Sequence, residues 1–211
     1  SLAPVYDAMK QRGNWEVYTA CTAQHREILD QMLVYFDIQS NYDLNIMTPS
    51  QDLFDITSKV LLGLRSVLRE CKPDLVIVGG GTASAMAAAM AAFYLEIPVA
   101  HIDAGLRTWD MHNPFPEEIN GWIADAVSSI HFAPTKMARD FLIRNGFAPT
   151  SVHVTGSPAV DSLRIALKAI KDDPFRAVSF QDDQFIILLT GHRRESVGAR
   201  LTRVFQAIRT V

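Results

Sequence analysis

Asp74-Leu-Val-Ile-Val-Gly-Gly-Gly-Thr82 leads into the alanine-rich stretch 83–94, and Pro98-Val-Ala-His-Ile-Asp103 follows. Residues 75–78 are apolar throughout and β-branched at three of four positions, which predicts a strand over 74–78 buried on both faces. Three glycines end it, and 83–94 then predicts a buried helix. A second strand is expected over 98–103. Strand, crossover helix and strand in this order give a right-handed unit with its strands parallel.

The same alternation extends in both directions. Strands are expected over 15–21, 129–133, 151–155 and 185–190, and helices over 24–36, 51–70, 116–127, 136–145 and 160–170. The fold class read from this is α/β: a Rossmann-like parallel sheet with helices on both faces. Residues 1–168 form the expected first domain. Residues 169–183 are more charged, contain Pro174 and read as a connection, and 184–211 read as the opening of a second domain. Residues 1–12 look like the later part of a helix with no strand before it. The pattern therefore predicts a missing first strand, and two inner sheet edges without partners.

Composition narrows the function. The 211 residues are 48% hydrophobic and 20% charged, with a formal net charge of −3. There is no basic excess to attract nucleic acid or an anionic membrane. Cys21 and Cys71 have no metal-ligand spacing, which suits free thiols in a reducing compartment. The most apolar run, 83–98, is too short to span a bilayer. A cytoplasmic protein is expected.

Ligands of such sheets bind beyond the carboxyl ends of the strands, so the loops after the strands hold the candidates. His101-Ile-Asp-Ala-Gly-Leu-Arg-Thr108 and Asn113-Pro-Phe-Pro-Glu-Glu-Ile-Asn120 are the first pair. Asp103 ends a strand, Gly105 permits a sharp turn, and Pro116 suits the first turn of a helix carrying Glu117 and Glu118. The glutamates can serve as first-turn stabilisers of the helix dipole. Together with Asp103 they can also place carboxylates around one pocket, as proton removal on one face and delivery on another requires. Thr190-Gly-His-Arg-Arg-Glu195 offers His192, Arg193 and Arg194 as donors to a diphosphate, or is a solvated basic turn. Gly79-Gly-Gly-Thr82 lacks the dinucleotide fingerprint spacing; it either receives a ligand at a helix N-terminus or permits close packing. Thr22-Ala-Gln-His-Arg-Glu27 places Gln24 and His25 at the cleft mouth, or simply starts a helix. His131 and His153 fall inside expected strands and read as structural.

Taken together, these stretches resemble the non-hydrolysing, bacterial-type UDP-N-acetylglucosamine 2-epimerases. Lys72-Pro-Asp-Leu-Val-Ile-Val78, His131-Phe-Ala-Pro-Thr135 and Val154-Thr-Gly156 add to the match, and the motifs run in family order along nearly the whole chain. The resemblance implies a glycosyltransferase-B-like architecture with two Rossmann-like domains and a truncated second one here. It implies interconversion of UDP-N-acetylglucosamine and UDP-N-acetylmannosamine by elimination and re-addition of UDP, with no metal or redox cofactor. It also implies a homodimer, service to cell-surface polysaccharide synthesis, and a neighbouring regulatory site for UDP-N-acetylglucosamine. By motif position, Asp103, Glu117 and His192 take the catalytic places. His192, Arg193, Arg107 and Glu118 are the substrate-contact candidates, and Gln24, His25, Gln51 and Arg194 the regulatory-site candidates.

Four departures stand inside the resemblance. Gly81 occupies the place of a family aspartate, and Gly121 that of an arginine. Ser157-Pro158 replaces an Asn-Thr pair. Asp103 replaces a glutamate, which withdraws the carboxylate by roughly 1 Å, a displacement able to cost about 100-fold in rate. Two alternatives to an epimerase follow: a UDP-sugar-binding relative without that activity, or a glycosyltransferase of the same fold. The 211-residue chain alone is expected to be inactive.

Overall fold

The structure is a computed structural model that describes residues 2–23, 26–172, 187 and 198–209. Along the chain run α1 (Ala3–Arg12), β1 (Ala20–Cys21), α2 (Arg26–Tyr35), β2 (Tyr42–Asp43), α3 (Leu53–Cys71), β3 (Val76–Gly79), α4 (Ala83–Phe93) and β4 (Val99–Ile102). They are followed by α5 (Glu117–Val127), β5 (Ile130–Ala133), α6 (Lys136–Arg144), β6 (Val152–Val154), α7 (Pro158–Asp172) and α8 (Ala199–Ile208). The expected strand over 185–190 lies outside the described residues.

The strands are parallel, as the alternation requires, and form two sheets among the described residues: β1-β2 and β3-β4-β5-β6. β4 is one of the two inner strands of the larger sheet. Val99, Ala100, His101 and Ile102 are all buried, so both of its faces are covered. β3 departs from expectation. Only Val78 is fully buried there, while Val76, Ile77 and Gly79 are partly so. The reason is its position at the edge of the four-stranded sheet, with a strand partner among the described residues on the β4 side alone.

Small residues set the helix packing. α4 lies between α3 and α5, and its Ala87, Ala89, Ala91 and Ala92 are buried. Ile56, Val60, Leu64 and Leu68 recur along one face of α3 and pack in the same apolar cluster as these alanines. That spacing of four residues is the helical stripe. A second cluster joins Phe141 and Leu142 of α6 to Ala133 and Val152 of the sheet. Side-chain caps fix three helix starts: Asp52 on the Asp55 amide, Thr82 on Ala85 and Thr135 on Ala138. Each satisfies one of the orphan amides of a first turn.

Candidate active site in the β4–α5 loop

β4 ends at Ile102, and the chain turns at once. Asp103 has φ of 60° and Gly105 of 75°. Glycine is required at 105: a Cβ there would stand 2.5 Å from the Ala138 carbonyl oxygen. The left-handed region is uncommon for a residue with a side chain, and surroundings must enforce it. Asp103 Oδ1 is buried and has no hydrogen-bond partner among the described residues, an expensive state for a carboxylate oxygen.

The enforcement comes from α5. Its residues 118, 121 and 125 share one face, at spacings of three and four. Glu118 is buried and accepts the backbone amides of Thr108 (3.0 Å) and Trp109 (3.2 Å). Two turns on, Asp125 is 1% exposed. Its Oδ1 faces His101 Nδ1 at 2.6 Å, and its Oδ2 accepts the Gly105 amide at 3.1 Å and the Arg107 guanidinium. Gly121, between the two acids, leaves room for Arg107. A Cβ there would already lie 3.4 Å from its Nη1, so a longer side chain would start in contact with the guanidinium. Arg107 also lies against the rings of Trp122 and Phe141, 5.1 and 5.2 Å from their centroids.

The neighbouring loop joins the same construction. His101 Nε2 lies 3.0 Å from the Gly80 carbonyl oxygen, and Gly80 has φ of 69°. At Gly81 an added Cβ would meet the Glu117 carbonyl oxygen at 2.4 Å, with the Gly121 nitrogen 3.3 Å away. No side chain fits there, because the first turn of α5 occupies the space. Between the two readings of the glycine run, this geometry supplies the packing one. Gly81 and Gly121, two departures noted separately in the sequence, face each other across one contact.

The sequence candidates fall into three groups. Asp103 and Glu117 stand at opposite ends of the loop; Asp103 is partly buried with a free oxygen, and Glu117 is exposed on the first turn of α5. Helix α5 begins at Glu117, with Pro116 at its N-cap rather than inside the first turn. Arg107 and Glu118 are engaged inside the protein, one on Asp125 and the other on two amides. Gln51 is distant in chain and local in role: its Oε1 accepts the Thr48 amide at 3.1 Å, in the turn before α3. Gln24, His25, His192, Arg193 and Arg194 lie outside the described residues. Of the strand histidines, His131 is buried with Nε2 2.9 Å from the Asp125 carbonyl oxygen, whereas His153 is exposed.

Sequence reading missed Asp125 and the pairing of His101 with it. A signal existed: an acid seven residues after Glu118, on the same helix face, flanked by Ala124 and Ala126. Among the described residues no group of three or more His, Cys, Asp or Glu is placed to hold a metal ion. No described helix is long and apolar enough to cross a membrane.

Comparison with known proteins bears on this loop and on the chain as a whole. A protein of Thermotoga maritima is 44% identical over 213 residues, covering all of this chain and 56% of its own length. The UDP-N-acetylglucosamine 2-epimerase of Escherichia coli is 41% identical over 214 residues, covering 98% of this chain and 57% of its own. The crystal structure of the Neisseria meningitidis UDP-GlcNAc 2-epimerase bound to UDP-GlcNAc superimposes with a TM-score of 0.92 at 39% identity, over 99% of this chain and 58% of that one. The chain thus has the expected Rossmann-like, glycosyltransferase-B-like architecture and spans somewhat more than half the length of these relatives. The family model for UDP-N-acetylglucosamine 2-epimerase matches residues 7–211, and the chain belongs to that family.

Proposed function

We propose that the whole protein interconverts UDP-N-acetylglucosamine and UDP-N-acetylmannosamine, with Asp103 and Glu117 as its acid/base pair. What supports this reading most is how Asp103, Glu117, Glu118 and Asp125, four of the carboxylates around the β4–α5 loop, are divided. Glu118 and Asp125 are engaged by loop amides, His101 and Arg107, while among the described residues Asp103 keeps a buried oxygen without a partner and Glu117 is exposed. Two engaged carboxylates hold the loop and two free ones remain for chemistry.

The reaction moves one proton and one UDP. As the C1–O bond breaks, UDP takes the bonding pair and positive charge grows at C1. That charge acidifies the C2 hydrogen, which one carboxylate removes, and a C1–C2 double bond forms. In the return step UDP adds to C1 and C2 is protonated on the opposite face by the other carboxylate. There is no net oxidation, so the balance calls for no redox cofactor. His192 and Arg193 would hold the diphosphate, whose charge grows as it leaves. Gln24, His25, Gln51 and Arg194 are proposed for a second UDP-sugar site. A cytoplasmic homodimer supplying cell-surface polysaccharide synthesis is the accompanying proposal.

The test is to incubate the whole protein with UDP-N-acetylglucosamine in deuterated water. Deuterium at C2, together with UDP-N-acetylmannosamine, is the expected result. Glu117→Gln should slow that exchange about 100-fold or more, the usual scale for losing a general acid or base. Binding of the UDP-sugar without exchange would instead mean a relative lacking epimerase activity. Unchanged exchange in Glu117→Gln would remove Glu117 from the pair.

A further inference from the structure

Asp125 touches no open surface and stands two turns into a helix, yet one of its oxygens holds the end of β4 and the other the loop that carries Asp103. Oδ1 meets the side chain of residue 101 and Oδ2 the amide of residue 105. One carboxylate therefore bridges the two positions that flank Asp103 at equal chain distance. Between them the backbone adopts the left-handed conformation at both Asp103 and Gly105. Such a conformation persists when its neighbours over-determine it. Arg107 fixes the bridge in turn, bound to Oδ2 and packed on Trp122 and Phe141. His101 extends the bridge to the Gly80 carbonyl oxygen, in the loop that follows β3. His131 holds the main chain of Asp125 from the next strand. Two strand-end loops thus converge on a single buried acid.

We propose that Asp125 is a positioning residue for Asp103, setting the direction of its carboxylate through His101 and Gly105. The proposal rests on the reading of Asp103 as one of the acid/base pair. A buried ion pair kept only for stability is the competing account, and buried pairs are weak evidence of stability because desolvation offsets much of the attraction. The two accounts differ in what they predict for each turnover. If Asp125 aims the carboxylate, loss of its charge misplaces the reacting oxygen, and misplacement by about 1 Å can cost about 100-fold. If it only stabilises, the molecules that remain folded turn over normally.

The experiment uses the whole protein and the isosteric variant Asp125→Asn, with kcat counted per UDP-binding site so that unfolded molecules do not enter. A fall of about 10- to 100-fold in kcat and in C2 deuterium exchange, with KM within about threefold, is expected. His101→Gln breaks one arm of the bridge and leaves the Arg107–Asp125 pair in place. It should cost about 10-fold, and it decides the question should Asp125→Asn not fold. In an Asp103→Asn background, Asp125→Asn should add less than about twofold, because what it positions is already gone. A per-site kcat within twofold of the unmodified protein in both single variants overturns the proposal, as does an equal factor in the two backgrounds. Exchange left intact by Asp103→Asn alone would instead sink the acid/base reading, whatever Asp125 does.

Discussion

Two arginines in this chain tie loops to carboxylates, one in the dark and one in water. Arg107 binds Asp125 with side chains 4% and 1% exposed. Arg26, at the start of α2, binds Asp30 and Asp43 with side chains 35%, 48% and 39% exposed. The chemistry is the same and the setting differs. Around Arg107 no water competes, and its partner also serves His101 and Gly105. Around Arg26 solvent screens each charge, and the β1–β2 sheet it borders is held by exposed polar contacts such as the Thr19 amide on Asn41 Oδ1 at 2.9 Å. An ion pair thus specifies a conformation where it is the meeting point of a buried network, and only decorates one where it is not.

The largest effect expected from this contrast comes from breaking the buried pair on one side. Arg107→Met takes the guanidinium from the buried Asp125 carboxylate, leaving it His101 and the Gly105 amide, and Asp125→Ala strands the guanidinium. Each should lower the unfolding free energy by about 3–5 kcal/mol, read from urea midpoints of the whole protein. Replacing both, as Arg107→Met with Asp125→Leu, should recover much of the stability, since no charge is left buried without a partner. A full additive loss in the double variant would mean that the network counts for its packing rather than its charges.

A smaller effect is expected at the glycine contact beside the pair. Gly81→Ala puts a Cβ 2.4 Å from a main-chain oxygen that no rotamer change can move away. Overpacking of this kind costs about 1–3 kcal/mol. Gly81→Asp, which restores the acid expected from the family pattern, should be no milder. A thermal melt of either variant that coincides with the unmodified protein would show that α5 yields at its first turn, and would weaken the case that this turn is fixed.

The sequence announced one side of this contrast better than the other. β3 to β6 are apolar runs bounded by glycine or small polar residues, and each was expected within a few residues of where it lies. Sheet β1-β2 was half legible. A strand was expected over 15–21, but only Ala20–Cys21 pairs, and Tyr42–Asp43 was not expected at all. Two residues show no periodicity, so such strands exist by tertiary pairing alone. The site divides likewise. Asp103 and Glu117 come forward as candidates because they sit at a strand end and a helix start, where ligand-facing groups gather. Asp125 does not, because an acid inside a helix ordinarily faces water. Only the packing of α5 against His101, 24 residues earlier, puts it in the interior. The inward contacts of Arg107 with Asp125 and of Glu118 with two amides are hidden for the same reason: a charged residue in a loop motif does not reveal which way it turns.

The smallest effect is expected at Arg26, and it tests the other half of the contrast. The hydrogen bonds to Asp30 and then to Asp43 hold its guanidinium above the ordinary arginine range. A base whose folded value is raised contributes stability that is present below its unfolded value and lost only as pH rises through the folded one. That window lies far above any working pH, so its contribution should be flat from about pH 6 to 9. Exposed pairs are screened beyond roughly 10 Å at 0.1 M salt and by about 3 Å at 1 M. Arg26→Ala should therefore shift the urea midpoint slightly at low salt and not measurably at 1 M, whereas the shift from Arg107→Met should persist at both, because salt does not reach its partner. An Arg26→Ala loss that survives high salt and rivals Arg107→Met would show that the β1–β2 edge depends on its ion pairs as the β4–α5 loop does.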